Sequence, residues 1–221
     1  MLAKDLISEV IPPLKPSDTG ADGLRWMDVF RVSHLPIVTG GDYLGLISDA
    51  DILDRNMSDE SVGKHAGTPL SPFVYDYQHL YEVVALASRL DLTAIPVLTD
   101  EHRYLGTISS RQLLQSFSDM AAVKHPGGIL VLEINANDYS LSRIAGIVEE
   151  NDARILSCYV TSPPDSVKME ITLKINRTDL TSIIQTFLRY DYRIKASYQS
   201  KDRNEDVLRS NYDQFMMYLN V

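Results

Sequence analysis

Tyr43-Leu-Gly-Leu-Ile-Ser-Asp-Ala-Asp-Ile-Leu53 is the stretch that decides how this chain is interpreted. Its apolar first half predicts a short buried strand, and its second half predicts the start of a helix. Ser48 lies at the junction, where its hydroxyl can cap the helix or, with unpaired backbone N–H groups, help to hold an anion. Asp51 follows three residues later on the same face. Its carboxylate can either close a Ser-x-x-Asp capping box or accept hydrogen bonds from a ribose diol.

The same pattern occurs a second time, at positions 104–114. Ser48 is matched by Ser109, and the upstream run at 34–38 is matched by the run at 94–98. The offset between the copies differs slightly for these two pairs, and the difference falls in the turn between the runs, where an insertion costs little. An internal repeat of this size outranks any single motif. We therefore predict two copies of one unit, each with a lead-in strand, a helix, two strands joined by a turn, and a second helix.

The two copies resemble a tandem pair of CBS domains, a regulatory unit that is also called a Bateman module. The residues that carry the resemblance are the Ser-His-Leu-Pro-Ile-Val run at 33–38, the Gly-Leu-Ile-Ser-Asp-Ala-Asp-Ile-Leu run at 45–53, and their second copies. The resemblance extends from the start of the sequence to about position 120. It implies that the chain binds an adenosine-containing ligand in the cleft between the copies and acts as a sensor.

The resemblance also implies a ligand site in the first copy. The base would lie against the lead-in strand, and backbone groups near His34 would bind its edge. Ser48 would hold a ribose hydroxyl or a phosphate, Asp51 would accept from the ribose diol, and Arg31 or His34 would offset phosphate charge. The residues expected at this site are Pro13, Leu14, Arg31, His34, Leu35, Pro36, Ser48 and Asp51.

The second copy differs at the position that matters most for a ribose. Gln112 stands where the first copy has Asp51, and an amide lacks the charge-assisted strength of a carboxylate. Arg111 lies beside it and can bind phosphate. We therefore expect a second, weaker site. Its expected residues are Val74, Ala94, Ile95, Pro96, Ser109, Arg111 and Gln112.

The composition is that of a globular protein, with 44% hydrophobic and 23% charged residues among 221. No apolar run approaches the roughly 18 residues needed to cross a bilayer, and the N-terminus is unlike a signal peptide. We expect a cytoplasmic protein with no membrane partner. Cys158 is the one cysteine, so we expect it to pack in the interior and expect neither a disulfide nor a cysteine metal site.

The charge of the chain limits the kinds of partner that it can bind. A net charge of −9 argues against nucleic acid, which is bound by basic surfaces. The excess of acid is concentrated in the part of the chain that precedes position 125. Phosphates bound there would need basic residues nearby, because the electrostatic field of the many acidic residues repels them. The histidines are scattered, so we expect no metal site and no metal or organic cofactor beyond a regulatory adenine nucleotide.

The pattern of apolar residues changes after Lys124-His-Pro-Gly-Gly128, which predicts a linker. Beyond it, strands and helices are predicted in the order βαββαβ, which is the ferredoxin-like arrangement. This part resembles an ACT domain, and the combination resembles the acetoin-utilisation regulatory protein type. Its turn at 135–140 lacks glycine, which favours a dimerising ACT domain over one that binds amino acids. A last helix is predicted after position 206, with Leu208, Tyr212, Phe215 and Leu219 on one seam.

Together these features predict an α+β (α/β) fold: a tandem CBS-domain pair, a ferredoxin-like βαββαβ domain and a C-terminal helix. The domain limits are 1–60 and 61–123 for the CBS domains, 124–200 for the ACT-like domain and 201–221 for the tail. The favoured function is that of a non-catalytic, homodimeric regulatory protein that binds an adenine nucleotide and signals to an unknown partner protein. One alternative is a structural dimer with an empty cleft. The other is an enzyme, against which stands the lack of a Gly-rich phosphate loop or a catalytic cluster.

Overall fold

The computed structural model of the chain describes residues 1–8, 10–65, 71–162 and 167–199. It divides into two compact units, Met1–Phe117 and Ser118–Val221. Helices and strands are mixed in both units, which confirms the predicted α+β class. In the part of the chain that the structure describes, no helix is long and apolar enough to cross a membrane. The predicted C-terminal helix lies outside the described residues.

The first unit repeats one arrangement of helices and strands. Its first copy consists of α1 (Gly20–Phe30), β1 (His34–Thr39), β2 (Asp42–Ser48) and α2 (Asp49–Asp54). Its second copy consists of β3 (Val74–Tyr75), α3 (Leu80–Leu90), β4 (Ala94–Leu98), β5 (Tyr104–Ser109) and α4 (Ser110–Met120). Strand β1 pairs with β2, and β4 pairs with both β3 and β5. In the first copy the lead-in strand is reduced to a single bridge between Leu14 and Ile37.

The pairing register shows that the repeat extends to individual residues. Leu35 lies opposite Ile47 in the first copy, and Ile95 lies opposite Ile108 in the second. The register shifts at the same place in both copies, between positions 37 and 38 and again between 97 and 98. The two copies are therefore the same fold, as the repeated runs of sequence predict.

The long helices of the two copies also begin and end alike. Thr19 and Asp22 form a capping box at the start of α1, and His79 and Glu82 form the matching one at the start of α3. Both helices end at a residue in the left-handed conformation, with φ 56° at the first and 52° at the second. Trp26, which would be expected inside from its helical spacing, is instead 38% exposed and stacks on Phe30.

The cores of the two copies exchange residues, so the boundary between them in sequence is not the boundary in space. Ala3 and Leu6 from the N-terminus pack in the core of the second copy with Leu80 and Val83. Ala94 from the second copy packs in the core of the first. Each core therefore includes residues from both copies, and the two copies pack as one structure.

The second unit is a four-stranded antiparallel sheet with two helices. Its elements are β6 (Gly128–Asn135), α5 (Leu141–Glu149), β7 (Ile155–Thr161), β8 (Lys168–Ile175), α6 (Thr181–Arg189) and β9 (Arg193–Tyr198). The strand order β7-β8-β6-β9 is that of the ferredoxin-like fold, which confirms the predicted arrangement. Gly127 precedes β6 at φ 149°, where a Cβ atom would collide with the carbonyl oxygen of Ile175.

One face of this sheet packs against both helices. Leu130, Leu132, Ile171 and Leu173 alternate along the central strands and meet Phe187 of α6 in a buried core. The side chains between them point away from the helices, which is the period-two pattern of a half-covered sheet. Cys158, expected to pack inside, is exposed on the edge strand β7.

Candidate functional site

A cavity of about 450 Å³ opens beside Ser48 and Asp51 in the first unit. This volume is in the range of small-molecule sites in proteins. Both copies contribute to its walls, the first through β1, β2 and α2, and the second through its lead-in and α3. The residues that line it are His34, Leu46, Ser48, Asp51, Ser71, Pro72, Leu86, Arg89, Leu90 and Leu92.

Ser48 and Asp51 form a reciprocal capping box at the start of α2. The Ser48 hydroxyl accepts from the Asp51 N–H at 3.0 Å and donates to Oδ2 of Asp51 at 2.6 Å. The same Oδ2 accepts from the Ser48 N–H at 3.1 Å. The second oxygen, Oδ1, has a longer contact of 3.7 Å to the Arg55 guanidinium. The cap therefore uses one carboxylate oxygen, and the other is available to a ligand in the cavity.

The pKa of Asp51 reflects opposing influences. Burial raises the pKa of this carboxyl, but the hydrogen bonds from Ser48 and the nearby charge of Arg55 lower it by more. The pKa consequently lies below its ordinary value, and the carboxylate is ionised at neutral pH. An ionised carboxylate is an acceptor only, which suits it to a pair of hydroxyl donors such as a ribose diol.

His34 is held by a residue of the other copy. The Thr93 N–H lies 3.4 Å from Nδ1 of His34, and the Thr93 hydroxyl lies 3.0 Å from the same nitrogen. A backbone N–H can only donate, so the Thr93 N–H makes Nδ1 an acceptor, and the Thr93 hydroxyl, which accepts from the Ser33 N–H at 2.7 Å, can donate to Nδ1 as well. Nδ1 is thus an acceptor, and in the neutral ring Nε2 carries the hydrogen. The geometry assigns His34 one N–H donor for the cavity.

Burial lowers the pKa of His34 below its ordinary value. Asp49, Asp91 and Asp51 oppose this effect because each favours a positive charge on the ring, but burial prevails. The imidazole is therefore neutral at neutral pH. It can donate a hydrogen bond to a ligand without adding positive charge to the site.

The opposite wall of the cavity is apolar and comes mainly from α3. Leu86 and Leu90 line it from the helix, Leu92 from the segment after it, and Leu46 from β2. Pro72 completes this wall. Flat apolar ligand groups such as a purine ring favour surroundings of this kind.

The position of Pro72 depends on Tyr43. The Tyr43 hydroxyl donates to the Pro72 carbonyl oxygen at 3.1 Å, and the Tyr43 ring packs edge-on against Phe73 at 6.1 Å between centroids. Burial raises the pKa of Tyr43 well above its ordinary value, so the hydroxyl keeps its hydrogen. Tyr43 therefore fixes the lead-in of the second copy against β2 of the first.

The structure brings together three of the residues predicted for the first site, His34, Ser48 and Asp51, and leaves the others away from this cavity. Pro13 is exposed, and Leu14 is buried in the core of the first copy. Leu35 and Pro36 are buried in β1, and Arg31 is exposed and pairs with Asp28 at 2.9 Å. None of these five lines the cavity. The lead-in that does line it belongs to the second copy.

Sequence reasoning missed Ser71, Pro72, Thr93, Arg89 and the leucines of α3. One signal was available for Pro72, because the repeat matches it with Pro12 in the corresponding lead-in of the first copy. The approach of the second lead-in to the first-copy cavity is a property of the tertiary fold. No pattern within either copy indicates it.

The residues predicted for the second site are differently placed. Val74, Ala94, Ile95 and Pro96 are buried in β3 and β4, and Arg111 is exposed on α4. Ser109 caps α4 by accepting from the Gln112 N–H at 3.1 Å.

A second cavity of about 500 Å³ lies in the second unit, at the end of β6. Glu133 joins Lys168 at 2.8 Å and Arg193 at 2.7 Å there, and Arg143 lies 5.5 Å above the ring of Tyr190. The hydrogen bond from Lys168 lowers the pKa of Glu133 below its ordinary value. Within the described ranges, no group of three or more His, Cys, Asp or Glu side chains could hold a metal ion.

Comparison with known proteins identifies the beginning of the chain. Residues 3–58 match the family model of the CBS domain. Inosine-5'-monophosphate dehydrogenase of Methanocaldococcus jannaschii is 24% identical over 162 residues, which are 71% of this chain and 32% of that protein. The chain thus spans about a third of the length of this relative.

Two solved structures are similar to this chain at low sequence identity. A CBS domain pair/ACT domain protein from Thermotoga maritima is 21% identical with a TM-score of 0.47, over 54% of this chain and 98% of the other. A Vibrio cholerae protein assigned to acetoin utilization is 18% identical with a TM-score of 0.48, over 56% and 95%.

Proposed function

We propose that this chain, whose first unit is a CBS domain pair, is a non-catalytic regulatory protein that binds an adenine nucleotide and passes the signal to a partner protein. The observation that carries the proposal is the Asp51 carboxylate. One of its oxygens closes the cap of α2, and the other is available beside a cavity large enough for a nucleoside. A cap alone does not require a cavity, which supports the proposal that Asp51 serves both the fold and a ligand.

The remaining walls suit the parts of an adenine nucleotide. The leucines of α3 and Pro72 would hold the base by apolar contact. Asp51 would accept hydrogen bonds from the ribose hydroxyls, and His34 would donate through Nε2. Arg89 in the last turn of α3 would hold a phosphate.

We interpret the site as one for binding rather than for reaction. One oxygen of the ionised Asp51 carboxylate is held by the cap, and Nδ1 of His34 is held by Thr93. The Ser48 hydroxyl also lines the cavity, but it donates to Asp51, so its hydrogen is not directed to the His34 imidazole as a nucleophile and base would require. The proposal therefore makes the chain a sensor and assigns no reaction to it.

The proposal is tested by calorimetry of the purified full chain with AMP and adenosine, together with its thermal stability. A ligand present at 100 times its dissociation constant should stabilise the fold by about 2.7 kcal/mol. GMP serves as the control, because it carries the same charge as AMP but a different base. The proposal fails if neither adenine compound binds at millimolar concentration, an outcome that favours a structural protein with an empty cleft.

We further propose that the second unit holds a homodimer in the cytoplasm, as the ACT-like interpretation predicts. Tyr159, Val160 and Tyr198 are exposed on the two edge strands of its sheet, β7 and β9, where another chain could pair. Sedimentation of the full chain at micromolar concentration should give a dimer, and a monomer there would contradict this part of the proposal.

A further inference from the structure

The charges around the first-copy cavity are mostly negative. Asp49 and Asp51 lie on α2, and Asp91 lies at the end of α3, and all three act electrostatically on His34. Arg89 is the one cation among the described residues that line the cavity. Arg55 is nearby, but its guanidinium lies 3.7 Å from the Asp51 carboxylate and is shared with it. Because His34 is neutral, the lining of the cavity offers one positive charge for a ligand.

The backbone at the start of α2 is also unable to hold a phosphate. Helix starts bind anions through N–H groups that have no acceptor within the helix. Here each of the first four N–H groups already has an acceptor in the protein. Ser48 N–H donates to Asp51 at 3.1 Å, Asp49 N–H to the Ser33 carbonyl at 3.0 Å, Ala50 N–H to Asp49 at 2.7 Å, and Asp51 N–H to Ser48 at 3.0 Å. A phosphate placed there would have to displace one of these four acceptors.

The other helix that borders the cavity presents its negative end. Arg89 and Leu90 lie in the last turn of α3, where the carbonyl groups point outward. Asp91 follows directly as the C-cap. A phosphate beside Arg89 therefore meets one guanidinium, and any further phosphate meets carbonyl oxygens and carboxylates.

From this arrangement we infer that the cavity selects adenosine compounds with at most one phosphate and discriminates against di- and triphosphates. The inference rests on the proposed function, since it concerns the same site. The apolar wall and Asp51 recognise the nucleoside, and Arg89 compensates one phosphate. Each added phosphate increases the negative charge of the ligand without meeting a new partner.

The test is calorimetry of the full chain with adenosine, AMP, ADP and ATP in buffer without magnesium at one fixed ionic strength. ADP should bind about tenfold more weakly than AMP, and ATP more weakly again. Adenosine should bind within about tenfold of AMP, because it loses only the Arg89 contact. The inference is overturned if ADP or ATP binds as tightly as AMP. Failure of all four to bind would overturn the proposed function as well, so the two failures are distinguishable.

Two substitutions separate the charge argument from general damage to the site. Arg89→Ala should abolish the preference for AMP over adenosine and change adenosine affinity less than about twofold. Arg31→Ala, at an exposed arginine outside the cavity, is the matched control and should change neither. Asp49→Asn keeps the oxygen that accepts from Ala50 but removes a charge, so it should narrow the gap between ADP and AMP. An unchanged gap with Asp49→Asn, or an unchanged AMP preference with Arg89→Ala, would contradict the inference.

Discussion

The two copies of the repeat have nearly the same backbone and different chemistry. Pro36 and Pro96, Gly45 and Gly106, and Ser48 and Ser109 occupy equal places in register, and they are the residues that the strand pairing and helix start require. The copies differ in the side chains that line the cavity of the first copy. His34, Leu46 and Asp51 of the first copy correspond to Ala94, Thr107 and Gln112 of the second. Repetition therefore marks the fold, and divergence within it marks the candidate site.

The divergence changes what a repeated residue does. Tyr43 and Tyr104 occupy matching positions, yet Tyr43 reaches across to the Pro72 carbonyl, whereas the Tyr104 hydroxyl pairs with Thr107 at 2.8 Å. Thr107 is fully buried, and its carbonyl accepts from the Ser8 N–H at 2.9 Å. In the first copy the matching residue, Leu46, lines the cavity. In the second copy, Thr107 at the matching position is therefore buried in the interior of that copy.

The largest expected difference between the copies is in the effect of Asp51 and Gln112, the third residues of α2 and α4, on AMP binding. Asp51→Ala should weaken AMP binding roughly tenfold to a hundredfold, because a hydrogen bond to a charged group contributes about 1.5–3 kcal/mol. Gln112→Ala should change it less than about twofold. Calorimetric affinity is the measurement.

Asp51 also caps α2, so apo stability must be measured beside affinity. Loss of the cap should cost about 1 kcal/mol in Asp51→Ala. Asp51→Asn keeps an acceptor for the cap and removes the charge, so it should retain more stability while losing affinity. Equal loss of affinity in the Asp51 and Gln112 variants would show that the copies do not differ as the structure indicates.

The next comparison uses the two tyrosines. Tyr43→Phe and Tyr104→Phe each remove a half-buried, hydrogen-bonded hydroxyl, so each should cost about 1 kcal/mol of stability by chemical denaturation. Only Tyr43→Phe should also weaken AMP binding, by a few-fold, because Pro72 forms part of the cavity wall. If Tyr104→Phe affects binding as strongly, Tyr43 has no special role in holding that wall.

A smaller effect is expected from pH. The pKa of His34 is lower in the folded chain than its ordinary value of 6.5. As the pH falls through 6.5, the unfolded chain gains a proton that the folded chain does not, so stability is complete above 6.5 and is lost below it. The free energy of unfolding should change with pH by only a fraction of the roughly 1.4 kcal/mol per pH unit that the uptake of one full proton produces.

The pH measurement is chemical denaturation between about pH 7.5 and 5.5, a window set by the ordinary histidine pKa. The lowered pKa values of Asp51 and Glu82 act at more acidic pH, since the ordinary values of these groups are 3.8 and 4.5. His34→Asn should flatten the slope in this window, whereas the second copy has Ala94 at this position and contributes none. A slope that persists in His34→Asn would assign it to another group.

The fold was predictable because local signals agreed with each other. Leu80 and Val83 recur at helical spacing and lie in the helix Leu80–Leu90, and the apolar residues alternate along Lys168–Ile175, which is β8. The sequence indicates the Ser48 and Asp51 pair because these residues lie within one turn of chain, and it offers a weaker signal for Pro72 through the matching Pro12. Arg89 and Thr93 carry no such signal, since they approach the candidate site from the other copy. Trp26 was misplaced because helical spacing gives the period of an apolar stripe but not the extent to which a neighbour covers it.

The smallest expected effect concerns the ends of α1 and α3. Arg31 and Asp91 hold the same left-handed conformation, which costs a residue with a Cβ atom more than it costs glycine. Arg31→Gly and Asp91→Gly should each stabilise the first unit by about 0.5 kcal/mol, because the backbone is the same in both copies. Asp91→Gly should gain slightly more stability, since a carboxylate at a helix C-terminus is unfavourable and an arginine is favourable. Chemical denaturation measures both gains.

Calorimetry with AMP then separates the two copies. Asp91→Gly should strengthen AMP binding by removing a negative charge near His34, while Arg31→Gly should leave AMP binding unchanged. Equal effects of the two substitutions on binding would mean that the charges around the first cavity do not govern its ligand.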